Sequence, residues 1–563
     1  MKNKKLYIGS NYGHNSSVAI IDEDGEIIFA SEEERFSRIK STDKFPEMAL
    51  TYIVNAQISN IQGWSEGWKV HRRLLLKGFI STLLCGITNK EYIERRLLKE
   101  LKRYINWWKF SNKWKKELNI KISYVGHHYS HALSLLPWGL KNKSLVLVSD
   151  TTSEQESITL YYYFDGKMKL LTKSLFPNSI GSIFHQMAYH LGYSGRTGPG
   201  KLMALSAYGK PIWFTKMKEL VNINNGVLNI SKIKYPINKI SNTWLEYANN
   251  YCDSYSFKAE LLSKHLTKNE GKDLACSVQK LFEESTYELI VQGLELVKQK
   301  QGHYPSSVGL TGGSALNCQA NGLIKRRLFS NYNIQEICVS PWSEDGGTAI
   351  GAAVYQYKTS HTKGSVKTIT TSLLGSECFP YQDKNISPCV AMNAVDLILA
   401  SEVLALYDTK MEFGPRALGA RCIIARADDI ELKNKLNTLK NRPSFMPFAP
   451  VVLEEDFNKF FHDQGSTNMA WTVPFTSKGK LLLKGAQHPS NETRVQVVTP
   501  TCQCHLLRKI LNKMREIKGY GVLLLTSLND VNEPIARNLK DVQRTCKNIG
   551  ITKIITREKV LNC

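Results

Sequence analysis

Long apolar runs are missing from this chain of 563 residues. None approaches the ~18 residues of a spanning helix, so functions that need a membrane span are set aside. Its start, Met1-Lys2-Asn3-Lys4-Lys5-Leu6-Tyr7-Ile8-Gly9, has basic residues but no apolar core behind them, so no secretory signal is expected. Cysteine is sparse: 12 are scattered, some inside apolar stretches such as Ile337-Cys338-Val339. Only Cys502 and Cys504 are close, and no second pair completes a zinc framework, so Cys504-His505 is not read as a metal site. A reduced, cytoplasmic protein is the expectation. Acidic residues are also in deficit, 50 against 74 Lys and Arg, for a net charge of +24.

The basic surplus is densest over residues 61–120, with 14 Lys/Arg, 5 Asp/Glu and 5 of the 10 tryptophans. Basic plus aromatic suits nucleic acid or an anionic membrane surface. It equally suits a helical insertion with tryptophan in its core and Lys/Arg on its solvated face. The second reading is preferred, because Lys90–Leu118 has helical composition throughout. Elsewhere the excess is spread along the chain, which tolerates anionic, phosphorylated substrates.

The length predicts two or more domains, and 42% hydrophobic content is ordinary for a chain with real cores. Lys5–Ser10 reads as a strand, Tyr12-Gly13-His14-Asn15 as a turn and Ser17–Ile21 as a second strand. Asp22-Glu23-Asp24-Gly25 is a hairpin turn leading to a third, Glu26–Ser31. An actin or sugar-kinase type domain uses such an opening to hold phosphate. Further strands end in chemistry-bearing loops: Ser144–Asp150, Ser307–Leu310 before Thr311-Gly312-Gly313-Ser314, and Glu336–Ser340 before Asp345-Gly346-Gly347. Ligands bind at such carboxyl ends in α/β folds. The amides of Gly312 and Gly313, before a helix, offer an anion cradle, although any single Gly-Gly is equally a tight turn. After Gly351-Ala352-Ala353 the pattern breaks. Lys358–Thr371 is polar and turn-rich, like a linker, and a second apolar, glycine-containing region runs from about 375 to the end.

Several side chains are candidates for chemistry. His127 and His131 are four apart and share a face if Gly126-His127-His128-Tyr129-Ser130-His131-Ala132 is helical. With Asp150 and Asp345 they make a mixed nitrogen/oxygen set suited to a borderline divalent metal. Spacing alone leaves open a capped helix with two surface histidines and two unrelated aspartates. Arg416, Arg421, Lys440, Arg442 and Arg494 could converge on phosphate, which guanidinium forks suit; the alternative is a basic surface. Ser527 and Asn529 follow the strand Gly521–Thr526. His14 is the candidate general base, or else a turn histidine bonded to backbone. Lys40 is a candidate for phosphate or acceptor binding, or else a solvated lysine.

Taken in order, these residues resemble the NodU/CmcH family of O-carbamoyltransferases. Its markers here include Gly13-His14, Glu33-Glu34-Arg35-Phe36-Ser37-Arg38-Ile39-Lys40, the His127–Ala132 stretch, Gly200-Lys201-Leu202-Met203 and Gly312–Cys318. The Ser340–Ala353 loop, Glu412–Gly419, Lys440–Pro450 and Glu533-Pro534-Ile535 complete them. Departures from the family's usual residues are Asn15, Thr151, Ser153, Pro199, Thr409, Pro443, Met446, Ser490 and Leu525.

The resemblance implies an α/β protein of two domains. Residues 1–358 would form an actin-like (ASKHA) domain, similar to the tRNA threonylcarbamoyl transferase, with an insertion at about 61–120. Residues 359–374 would be a linker, and 375–563 a YrdC-like domain. It implies that carbamoyl phosphate and ATP, with Mg, give carbamoyl adenylate in the second domain. The carbamoyl group then passes to a small-molecule hydroxyl near a metal, iron by expectation. His127, His131, Asp150 and Asp345 would be its ligands; Gly312, Gly313 and Asn317 would line the adenylate pocket; Arg416 and the other cations would neutralise phosphate. Transfer to an amine or a tRNA adenosine, and a non-catalytic nucleotide-binding subunit, are the competing readings. A monomer or homodimer is expected.

Overall fold

The computed structural model describes residues 4–55, 60–68, 98–151, 153–176, 178–193, 195–230, 268–362, 364–376 and 386–563. Three short strands open the fold, β1 (Leu6–Asn11), β2 (Ser17–Asp22) and β3 (Ile27–Glu32), joined by the expected turns into an antiparallel meander. β4 (Ile61–Glu66) and β5 (Ile122–Tyr124) add in parallel on the other side of β1, giving the order β3-β2-β1-β4-β5.

A second sheet repeats this plan. β6 (Ser144–Ser149), β7 (Glu156–Phe164) and β8 (Lys167–Leu175) form the meander. A small hairpin, β9 (Val221–Asn224) and β10 (Val227–Ile230), follows. β11 (Ser307–Thr311) and β12 (Glu336–Val339) then extend β6 in parallel, for the order β8-β7-β6-β11-β12. Position for position this is the order of the first sheet. The Lys268–Gln301 and Cys318–Asn331 helices cover it, burying apolar residues such as Leu281, Ile290, Leu294 and Ile324 against the sheet.

The third sheet is built from β13 (Leu404–Tyr407), β14 (Arg421–Arg426), β15 (Ala449–Leu453), β18 (Gln496–Val498), β19 (Val522–Ser527), β20 (Lys553–Ile555) and β21 (Val560–Asn562). Its order is β18-β15-β19-β14-β13-β20-β21, and β16 (Thr472–Pro474) pairs separately with β17 (Glu492–Arg494). Apolar residues fill both of its faces, as a sheet covered on two sides requires.

Two helices bind the first two sheets together. The His127–Leu133 helix follows the first sheet yet packs on β6, β7 and β11 of the second. The Thr348–Ser360 helix follows the second sheet yet packs on β1, β2 and β4 of the first. They touch each other backbone to backbone, since a Cβ on Gly351 would lie 1.7 Å from the Ser130 carbonyl oxygen; the second helix meets β1 as closely, with a Cβ on Gly9 2.0 Å from the Ala349 carbonyl oxygen.

Two sequence expectations change here. Ile61–Glu66 is a strand inside the first sheet rather than part of an insertion, with Trp64 fully buried. The Leu98–Leu118 helix does bury Trp107 and Trp114 while exposing Trp108; the expected helical residues 90–97 lie outside the described part. The polar segment after Ser360 has no helix or strand among its described residues, but it is fastened to the first two sheets. Lys367 and Ile369 donate their amides to the Gly25 and Pro137 carbonyls (2.8 Å each), and the Leu374 carbonyl accepts from Ala30 (3.1 Å). No helix among the described residues is long and apolar enough to cross a membrane.

Candidate functional site

Each candidate ligand sits where one of these elements ends. Gly126 follows β5 by one residue and starts the helix that carries His127 and His131, one turn apart. Asp150 ends β6, and Asp345 opens the short turn before the Thr348–Ser360 helix. The close helix packing at Gly351 brings these termini together. His127, His131, Asp150 and Asp345 are all buried, with one ligand-type atom each inside a 4.8 Å group. His131 Nε2 lies 3.2 Å from Asp150 Oδ2 and 3.8 Å from Asp345 Oδ1; His127 Nε2 lies 3.8 and 3.7 Å from the same two oxygens.

Both ring nitrogens of His127 and of His131, and Asp150 Oδ2, lack a hydrogen bond although buried. Buried polar atoms are normally satisfied, and a divalent cation would satisfy one nitrogen of each ring and the carboxylate oxygen. Nitrogen and carboxylate donors in this ratio fit such an ion. The other Asp150 oxygen, Oδ1, is held by the Gly313 amide. His128, beside the cluster, engages Thr159 Oγ1 through Nδ1 (2.6 Å). Burial alone would lower the His131 pKa, but Asp150 and Asp345 outweigh it and raise it to about 9. Burial alone would raise the Asp345 pKa, and His14 and His127 instead hold it well below the usual carboxylate range. His14 Nδ1 is 2.9 Å from Asp345 Oδ2, and the ring is half exposed at 51%.

The cluster opens into a cavity of about 850 Å³ between the first two sheets and the third. His14, Asp150 and Asp345 line it from the first two sheets, with Gly313 beside Asp150; Arg416, Lys440, Arg442, Arg494, Ser527 and Asn529 line it from the third-sheet part, with Lys40 close to Lys440, and Asn317 is also on its wall. Lys440 Nζ donates to the Ser527 carbonyl and to Asn529 Oδ1, 2.9 Å each. Burial, with Arg442 and Lys40 nearby, lowers its pKa to about 7. Burial lowers Arg442 to about 10, with the guanidinium 4.7 Å over the Phe448 ring. Arg416 Nη2 donates to the Leu316 carbonyl (3.1 Å), crossing between the parts.

Two expectations need correction. Arg421 is fully buried and does not line the cavity. Its guanidinium donates to the Asp408, Thr409 and Arg537 carbonyls and lies over the Tyr407 ring, so it knits the third sheet instead of meeting phosphate. The Gly313 amide is committed to Asp150, so it supports a ligand carboxylate and is not free to cradle an anion. Gly312 does supply the tight turn, with φ +85° and a Cβ position 2.4 Å from the Ser149 carbonyl oxygen.

Sequence reasoning missed His185, Arg196 and Glu344, which also line the cavity. Arg196 donates to Asn15 Oδ1 (2.7 Å) and the Ser41 carbonyl (2.9 Å). Its setting in Gly195-Arg196-Thr197-Gly198-Pro199-Gly200 was a signal, and Glu344 stands beside Asp345. Of the positions that depart from the family pattern, Asn15, Thr151, Pro199, Pro443, Met446 and Leu525 lie on the cavity wall, and Ser153, Thr409 and Ser490 do not.

Comparison with known proteins agrees with the resemblance. Residues 71–354 match the family model described as carbamoyltransferase N-terminus, and 395–562 the one described as carbamoyltransferase C-terminus. The chain is 28% identical to the nodulation protein NolNO of Sinorhizobium fredii, over 96% of this chain and 78% of that protein. It is 24% identical to the 3'-hydroxymethylcephem-O-carbamoyltransferase of Amycolatopsis lactamdurans, over 77% of this chain and 80% of that protein. Among solved structures, HypF of T. kodakarensis aligns over 64% of this chain and 48% of its own, with 10% identity and a TM-score of 0.32.

Proposed function

The chain belongs to the carbamoyltransferase family, and from that premise we propose that it makes carbamoyl adenylate and passes the carbamoyl group to a hydroxyl of a small natural product. The observation that carries this reading is the single cavity with a His/Asp cluster at one end and a cationic wall at the other. We divide the labour accordingly, with residues 375–563 as the adenylating domain and residues 1–358 as the transfer domain.

The atoms balance in three steps. Water releases phosphate from carbamoyl phosphate and leaves carbamate. A carbamate oxygen attacks the α-phosphorus of ATP, and pyrophosphate departs. The acceptor hydroxyl oxygen then attacks the carbonyl carbon, and AMP leaves. Arg416, Lys440, Arg442 and Arg494 neutralise the phosphates, and such preorganised charge favours the second step. Ser527 and Asn529 hold the Lys440 ammonium in place. His14 accepts the acceptor's proton at Nε2, its Nδ1 being oriented by Asp345. Lys40, half-buried at the cavity edge, binds the adenylate phosphate or acceptor. His127, His131, Asp150 and Asp345 would hold a divalent ion, to which we assign iron; when bound it supplies Lewis acidity to the carbonyl.

Three tryptophans of the basic stretch, Trp64, Trp107 and Trp114, are core residues, which favours a small-molecule acceptor over RNA. A non-catalytic subunit has no need of a complete ligand set. The test is pyrophosphate release from ATP with and without carbamoyl phosphate, in wild type and Arg416→Ala. Release that depends on carbamoyl phosphate and disappears in the variant is expected. Its absence from folded, iron-loaded wild type would remove the adenylating step.

A further inference from the structure

The segment from Glu32 to Lys40 leaves β3 and ends in the cavity, and its two arginines reach across to the third-sheet part. Arg35 is 1% exposed. It donates Nε to Glu32 Oε2 (3.2 Å) and Nη2 to the Gly414 carbonyl (2.8 Å), while the Gly414 amide donates back to Glu32 Oε1 (2.9 Å). This closes a ring of hydrogen bonds between the two parts. Arg38 donates to the Ile535 carbonyl (2.8 Å) and the Pro534 carbonyl (2.9 Å). Arg416 follows Gly414 by two positions, and the run Asn529–Asn532 that precedes Pro534 lines the cavity. Two of the loops by which the third-sheet part reaches the cavity are therefore fastened to one segment of the first sheet.

The fastening adds to contacts that already shape the 412–421 turn. Glu412 Oε1 already accepts the amides of Leu418 (3.0 Å), Ala420 (2.8 Å) and Arg421 (3.0 Å), which fixes the turn within its own part. Gly414 instead abuts the loop that carries Asp345: a Cβ on it would lie 2.4 Å from the Pro341 carbonyl oxygen. A buried charge is a weak source of stability by itself and is best attested as a device that fixes register.

We propose that Arg35 and Arg38 are positioning residues that hold the cationic end of the cavity in register with the His/Asp end. The adenylate made at one end then meets the discharging groups at the other. This rests on the function proposed above.

The experiment compares two activities of the full chain, both needing carbamoyl phosphate: exchange of pyrophosphate into ATP, and metal-dependent AMP formation with water as acceptor. In the second, water oxygen bonds to the carbonyl carbon, AMP leaves and carbamate is the other product. Arg35→Lys and Arg38→Gln should keep the exchange and their bound metal. Both should lose AMP formation by up to about a hundredfold, the scale of a small misplacement between reacting groups. A parallel fall of both activities, or unchanged AMP formation, overturns the proposal. Should Arg35→Lys fail to fold, the half-buried Arg38 decides the question. Wild type without exchange would sink the functional reading and this one with it; wild type with exchange and unaffected variants would sink only the positioning role.

Discussion

Lys440 shows what a single residue contributes. Its pKa of about 7 is depressed from 10.5 by burial and by Arg442 and Lys40. The folded value lies below the unfolded one, so the fold penalises the charged form. Stability from this group rises with pH from about 7 to 10.5 and is lost on acidification toward 7. Phosphate binding has the opposite need, since it favours the ammonium. ATP affinity should therefore fall as pH rises above about 7, and Lys440→Arg should flatten that dependence; titration calorimetry across the range checks it. At the other end, His131→Ala should lower iron affinity by at least the ~10–100-fold that losing an outer partner costs, read as metal retained per chain after dialysis. The ligand-type residues were legible through the family resemblance, because spacing alone left two surface histidines and two unrelated aspartates open. Arg421 was not: a guanidinium aimed at phosphate and one aimed at three carbonyls have the same sequence signature. The glycine-rich setting of Arg196 marked it, but its tertiary contact with Asn15 is written in no local pattern.

Among elements, the contact between the His127–Leu133 and Thr348–Ser360 helices sets the geometry of the cluster. Gly351 has no room for a methyl group beside Ser130. Gly351→Ala should cost about 1–3 kcal/mol by overpacking, measured by urea unfolding. It should also weaken metal binding although it touches none of the four candidate ligands, because it pushes the helix bearing His127 and His131 away from the one that Asp345 precedes; titration with Co²⁺, followed by its visible absorption, would show this. A normal Co²⁺ affinity in a destabilised Gly351→Ala would separate packing from site geometry. Strands were legible wherever apolar runs stop at glycine or aspartate turns, as in β1, β2, β3, β6, β11 and β12. β4 was not, because Ile61-Gln62-Gly63-Trp64-Ser65-Glu66 holds a glycine and only one β-branched residue. Its strand character comes from parallel pairing with β1 and β5, which is a tertiary decision.

For the whole molecule, the cluster joins sheets that are otherwise distinct layers, so a bound ion should stabilise the assembly. At a thousandfold excess over Kd the gain is ~4.1 kcal/mol. Chelation with EDTA should accordingly lower the melting temperature of iron-loaded protein, and readdition of iron should restore it. An unchanged melting temperature would mean that no ion binds the folded state preferentially. The overall α/β class was legible in the alternation of strands, glycine turns and helices. The crossing of the two helices onto each other's sheets was not, because packing partners are not written in local periodicity. The shared strand order of the first two sheets has a geometric consequence. Each sheet offers the same two stations, one after its first strand and one after its fifth. In the first sheet these are filled by His14 and by His127 with His131; in the second they are filled by Asp150 and Asp345. One sheet contributes imidazole and the other carboxylate, so neither alone supplies the mixed donor set, and the cluster exists only where the two are docked.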